Sequence, residues 1–176
     1  VGEQMEINKI AHFGEQGVDL LLSDSTNAEI EGYTPSERNV FQSINDVFRK
    51  APGRIIVSTF SSNISRIQQV AVAAYKHNRK IAIVGRSMEF AIQVSRKYGY
   101  IKIPDDALIN AENVNNFKTH EVCIICTGSQ GEANAALSKI ASGDHKNIHV
   151  IPGDTIVFSS SPIPGNGEAI DRLINK

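Results

Sequence analysis

Five short apolar runs, at residues 18–22, 55–57, 81–84, Val122–Cys126 and Thr155–Phe158, each end in a cluster of small hydroxyl, amide or glycine residues. Brief apolar runs bounded by turn residues read as buried strands of a parallel sheet. Their endings are Ser23-Asp24-Ser25-Thr26-Asn27, Ser58-Thr59-Phe60-Ser61-Ser62-Asn63, Gly85-Arg86-Ser87, Thr127-Gly128-Ser129-Gln130-Gly131 and Ser159-Ser160-Ser161-Pro162-Ile163-Pro164-Gly165-Asn166. Parallel strands of one sheet bring their carboxyl ends to a common edge, so the five endings are expected to converge where open α/β sheets bind ligands.

Between the runs, apolar residues recur at three- and four-residue spacing, the mark of helices that cover a sheet. Thr34-Pro35-Ser36-Glu37 has the form of a capping box, followed by a stripe of Val40, Phe41, Ile44, Val47 and Phe48 up to about Lys50. A second helix is predicted from Ile64 to about His77 with Ser62 or Asn63 as its cap, and a third from Ser87 to Tyr98 with Gly99 as its stop. A fourth is expected from near Gln130 to Ser142-Gly143, and the polar stretch 105–118 reads as a surface excursion. The alternation predicts a Rossmann-like, three-layer α/β domain with a mostly parallel sheet of about five strands and alternate helices on its two faces. Residues 7–10 and 18–22, separated by Gly14-Glu15-Gln16-Gly17, favour a hairpin or sheet edge. We therefore divide the chain into an edge segment, 1–30, belonging to a neighbouring domain, and the main domain, 31–176.

With 176 residues, 41% of them hydrophobic, the chain can bury one substantial core. No apolar segment approaches the roughly 20 residues that span a bilayer, and a cytoplasmic location is expected. Lys and Arg total 18 against 19 Asp and Glu. With no overall basic field, any polyanion must be held by local geometry. Cys123 and Cys126 have metal-pair spacing but lie in one strand, where residues three apart face opposite ways, so both read as buried structural thiols. His145 and His149 are the only histidines at zinc-like spacing, and they sit outside a helix. The opening without Met and the uncapped helical pattern from Glu168 to Lys176 lead us to expect a piece of a longer protein.

Asp24 should project from a strand end to the shared edge, where a carboxylate can orient a histidine, ligate a metal or act as a base; an Asx turn suits the position too. Thr127-Gly128-Ser129-Gln130-Gly131 stands between a strand and a helix, where bare amides and the helix N-terminus can hold a phosphate, or where a tight turn simply caps the helix. It has neither the Gly-Lys-Ser/Thr of a Walker loop nor the third glycine of a dinucleotide fingerprint, so it supports neither a nucleoside triphosphate nor a nicotinamide cofactor. Ser159, Ser160 and Ser161, fixed by two prolines, could surround a phosphate with donors or form a solvated rigid turn. Ser25, Thr26, Ser61, Asn63, Ser87, Gly128 and Ser129 complete the candidate binding edge. Arg86 and Arg66 are the cations placed to meet a phosphate, though either could be a solvated surface charge.

Six segments, taken in order, resemble bacterial ribonuclease J across essentially the whole chain. They are Leu22-Ser23-Asp24-Ser25-Thr26-Asn27, Thr34-Pro35-Ser36-Glu37-Arg38, Thr59-Phe60-Ser61-Ser62-Asn63-Ile64-Ser65-Arg66, Gly85-Arg86-Ser87-Met88-Glu89, Cys126-Thr127-Gly128-Ser129-Gln130-Gly131-Glu132, and Gly153-Asp154-Thr155 with the stretch from Ser159 to Asn166. That family belongs to the β-CASP group of metallo-β-lactamase-fold nucleases, whose β-CASP domain is inserted into the hydrolase domain. The resemblance implies endoribonuclease and 5′-to-3′ exoribonuclease activity on single-stranded RNA, preferably with a 5′-monophosphate. It implies that Asp24 helps orient a histidine beside the metals, that the serine-rich strand ends face the cleft, and that the full protein is a homo-oligomer or a complex of paralogues. Two zinc ions would activate water. The His-x-His-x-Asp-His motif is absent from this chain, so the resemblance implies no metal site here and an inactive fragment that keeps part of the RNA-binding wall. A stand-alone module for a phosphorylated sugar or nucleotide is the competing expectation.

Overall fold

The computed structural model describes residues 6–25, 28–33 and 37–176. Helix α1 (Ile7–Gln16) is followed by α2 (Glu37–Lys50), β1 (Ile55–Ser58), α3 (Ile64–Lys76), β2 (Lys80–Val84), α4 (Arg86–Lys97), β3 (Leu108–Ile109), β4 (Val122–Cys126), α5 (Ala136–Ala141), β5 (Thr155–Phe158) and α6 (Gly167–Ile174). The strands form one five-stranded sheet in the order β3-β2-β4-β1-β5, parallel at every pairing. In register, Cys123 lies between Ile55 and Ile81, and Ile55 also faces Thr155.

Burial follows the two-residue period of the strands. Ile55, Val57, Ile81, Cys123 and Ile125 pack against α2, α3 and α4. Ile56, Ala82, Val84, Val122, Ile124 and Cys126 pack on the other face, against α5, α6 and a 3-10 turn at Val114. The result is a three-layer α/β domain whose central strands are sealed on both sides, as a parallel sheet requires. The two thiols diverge into opposite layers, and burial raises both pKa values, that of Cys126 to about 12.

The helices do not alternate between faces as expected. With right-handed crossovers, successive steps in one direction along the sheet keep their helices on one face. The steps β1 to β2 to β3 run one way, and α3 and α4 share a face; the chain then reverses through β4 to β5, and α5 lies on the other.

Two buried guanidinium groups tie the amino-terminal rim of the sheet. Arg54 donates to both carboxylate oxygens of Asp154, at 2.9 and 2.6 Å, and to the His149 carbonyl at 2.6 Å. Arg79 donates to the carbonyls of Gly53, Val122 and Ala51. These fastenings engage both guanidinium groups at that rim.

Four local expectations are corrected. Residues 7–10 are helical within α1, because Ile7, Ile10 and Phe13 recur every three residues, a helical and not a strand period. The run 18–22 forms no strand, with a bend at Asp19, and Leu20, Leu21 and Leu22 are exposed. The fifth strand is instead β3, inside the stretch 105–118 read as a surface excursion; Leu108 and Ile109 pair with Ile81 and Ala82 there. The fourth predicted helix starts six residues later than Gln130, at Ala136. None of the described residues between 6 and 33 is buried. The Thr34-Pro35-Ser36 part of the capping box lies outside the described residues.

Candidate functional site: a cleft at the carboxyl-terminal rim

Strand β4 sits between β2 and β1, yet its chain leaves toward α5 on one face while theirs leave toward α4 and α3 on the other. Connections that part in this way open a crevice at a topological switch point. On the β2 side the crevice is a cleft of ≈ 700 Å³ lined by Gly85, Arg86, Ser87, Glu89, Thr127, Glu132, Asn134, Lys139, His145, Lys146 and Asn147, among others. On the β1 side, Gln130 after β4 is hydrogen-bonded to the loop running from Ser160 to Asn166, and Ser159, Ser160 and Ser161 line a separate pocket against α2.

Local sequence builds the cleft. Gly85 holds φ +114° at the head of α4, and a Cβ there would lie 2.7 Å from Thr127 Oγ1, so only glycine lets the two turns approach. The Thr127 carbonyl accepts from Leu137 N at 2.9 Å and its Oγ1 from Ala136 N at 3.3 Å, which stitches the end of β4 to the start of α5. Gly128, at φ +111°, turns the chain between them with Ala135 and Leu137 close by.

Electrostatically the cleft presents Arg86, Lys139 and Lys146 against Glu89 and Glu132. Part of Glu132 is engaged by Gln130 N, which donates to its Oε2 at 3.0 Å. His145 Nδ1 accepts from the amides of Asn147 and Ile148, at 3.3 and 3.1 Å, leaving Nε2 to carry the proton. Burial, and then the neighbouring His149 and Lys139, lower its pKa. The lining thus offers cations and neutral donors suited to an anion. A second groove, of ≈ 680 Å³, lies beside Phe41, Ile64, Gln68, Val72 and Tyr100; it is apolar and has no cation for a phosphate.

The predicted residues do not all reach the cleft. Arg86 and Ser87 line it, exposed, and Gly128 forms its turn while Ser129 is buried beneath. Asn63 caps α3, its Oδ1 accepting from Arg66 N at 3.0 Å, and Ser61 is half-buried beside it. Ser159 is buried; its Oγ and carbonyl both accept from Arg66, at 2.7 and 2.9 Å. Arg66 itself is buried and bidentate on Glu37, so this cation serves the fold and is not free for phosphate. Ser160 Oγ accepts from Gln130 Nε2 at 3.1 Å, keeping its own proton to donate, and Ser161 is exposed. Asp24 and Ser25 are exposed, and the strand end that was to carry Asp24 is not formed. Thr26 lies outside the described residues.

Gln130, 4% exposed, is the organising side chain that sequence reasoning passed over. Its Nε2 donates to Ser160 Oγ and the Ser161 carbonyl, while Oε1 accepts from Ile163 N at 2.8 Å and Asn166 Nδ2 at 3.2 Å. An amide between two glycines at a strand end was the available signal. Lys139, Lys146, His145, Asn134 and Asn147 gave none, since only the fold gathers them.

The family model for the ribonuclease J β-CASP domain matches residues 52–176, and so takes in every strand and the whole cleft. The chain belongs to the ribonuclease J family. It is 51% identical to ribonuclease J 1 of Streptococcus pyogenes, 46% to ribonuclease J of Synechocystis and 45% to that of Thermus thermophilus, in each case over 99% of its length. It spans only 31%, 27% and 30% of those relatives, respectively. The parallel sheet and rim described above are therefore the architecture of this β-CASP domain. Among its described residues no three His, Cys, Asp or Glu side chains gather to hold a metal ion. No described helix is long and apolar enough to cross a membrane.

Proposed function

We propose that this chain is the β-CASP wall of a ribonuclease J, holding the phosphates of single-stranded RNA in the rim cleft for a hydrolase domain carried elsewhere in the parent. One observation carries the reading: at the switch point of the sheet, Arg86, Lys139 and Lys146 stand around a polar cavity with Ser87, Thr127, Asn134 and Asn147 as neutral donors. In the whole protein the 5′-monophosphate end is the preferred ligand, with Ser160 and Ser161 as further donors at the rim. Asp24 contributes the acidic residue beside the metals, residues 1–30 belong to the metallo-β-lactamase domain, and both zinc ions belong to the parent outside this chain. The isolated chain binds RNA without cleaving it, and the parent works in the cytoplasm as a homo-oligomer or a complex of paralogues.

The cavity also has the volume of a small-molecule site, about 300–1,000 Å³, which favours a phosphorylated sugar or nucleotide as the second reading. Titrating the chain with 5′-monophosphorylated and 5′-hydroxyl oligoadenylates and with AMP separates the two. We expect the monophosphorylated oligomer to bind best, with a salt dependence whose slope falls by about 0.7 for each phosphate that Arg86→Ala or Lys139→Ala leaves without its cation. AMP binding as tightly as the oligomer would establish the small-molecule reading instead.

A further inference from the structure

Helix α4 begins at the cleft with Arg86 and buries Met88, Ile92 and Ser95. Its outer side is unusual for a helix over a sheet. Phe90, Val94 and Tyr98, four residues apart, are 68%, 37% and 68% exposed, whereas Tyr100, past the turn at Gly99, lines the second groove. Single exposed apolar residues are ordinary, but a row of them with two aromatic rings marks a surface that meets something.

Charge decides between the candidates for that partner. Helix α4 carries Arg86, Arg96 and Lys97 against the single carboxylate Glu89, on a chain whose net charge is -1. Arg96 is occupied by Asp105 and the Ile103 carbonyl. Lys97 Nζ sits 5.8 Å from the centroid of the Tyr98 ring. Aromatic rings interleaved with cations form the platform on which successive bases of a single strand stack while the backbone is neutralised. A protein-docking face would need no such cations, and the row runs directly out of the cleft. At 1.5 Å per residue, Phe90 to Tyr98 measures about 12 Å and Arg86 to Tyr98 about 18 Å, room for several nucleotides beyond those in the cavity.

We propose that the outer face of α4 is a stacking track for single-stranded RNA leaving the cleft, with Phe90 and Tyr98 taking bases and Lys97 meeting phosphates. The inference rests on the RNA reading above and adds a second site of contact, which gives the chain a preference for length.

The test uses the 176-residue chain with 5′-monophosphorylated oligoadenylates of three and twelve nucleotides, the shorter confined to the cleft. The twelve-mer should bind more tightly than the trimer. Phe90→Leu with Tyr98→Leu keeps apolar bulk but removes both rings; it should weaken the twelve-mer about tenfold, since stacking on one ring is worth that much, and leave the trimer unchanged. A twelve-mer bearing 4-thiouridine should photocrosslink to the tryptic peptides 87–96 and 98–102. A twelve-mer that binds no better than the trimer, or is indifferent to the double variant, overturns the track while leaving the cleft reading intact. Failure of both oligomers to bind overturns the two together. Self-association that Phe90→Asp abolishes, with RNA affinity unmoved, would reassign the face to a protein contact and refute the proposal.

Discussion

Replacing Gln130 with Ala should free the rim loop without unfolding the domain. The side chain makes four hydrogen bonds, two donated by Nε2 to Ser160 and Ser161 and two accepted by Oε1 from Ile163 and Asn166. At about 1 kcal/mol net apiece these total about 4 kcal/mol. Ser161 and Ile163 are exposed, so water replaces Gln130 at those positions and the loss falls to about 2 kcal/mol. Because the loop is anchored chiefly through this amide, the loss appears as local opening. Hydrogen exchange reads it directly: the Ile163 amide should exchange about 30-fold faster, while Ile124 in the central strand keeps its protection. Gln130→Glu buries a charge and turns an oxygen toward the Ser161 carbonyl, so it should open the loop at least as much as alanine does. Unchanged exchange at Ile163 would refute the reasoning, and so would equal acceleration at Ile124.

Two further predictions concern stability. Asp154→Leu leaves the Arg54 guanidinium buried without its carboxylate, their side chains being 4% and 2% exposed; it should cost about 3–5 kcal/mol in urea unfolding, and adding Arg54→Met should recover much of that. His145 and His77 both have pKa values below the ordinary 6.5, chiefly through burial. Between the folded and unfolded values the unfolded chain binds more protons, so stability should fall as pH drops below about 6.5 and level off once the folded values are passed. Denaturation followed from pH 8 to 5 should show that acid limb, and His145→Asn should make it shallower; a slope indifferent to the substitution would place the effect elsewhere.

Four of the five strands, and the cap and extent of α3, were legible in the sequence because they depend on local pattern: apolar runs of strand length, and Asn63 ahead of a helical period. The same reasoning placed Arg86, Ser87 and Gly128 at one rim, since the ends of parallel strands must share an edge. It erred where pattern alone does not determine pairing. Residues 18–22 look like a strand but find no neighbour, while Leu108 and Ile109, two residues in a polar stretch, become one because Ile81 and Ala82 lie alongside. Arg66 illustrates the limit for the site: an arginine at a helix start is the same symbol whether it meets solvent or, as here, Glu37 and Ser159.

By itself, then, the order of residues dictated which stretches could be strands or helices, that the sheet would be parallel, and which small polar turns would gather at its carboxyl-terminal edge, because backbone propensity and hydrophobic period act over a few residues at a time. Only the tertiary structure decided that the chain reverses after β3, opening the cleft beside β4, and that Lys139, Lys146 and His145 close it while Gln130 holds the opposite loop. Those choices depend on contacts between segments remote in the chain, whose energies no local pattern encodes.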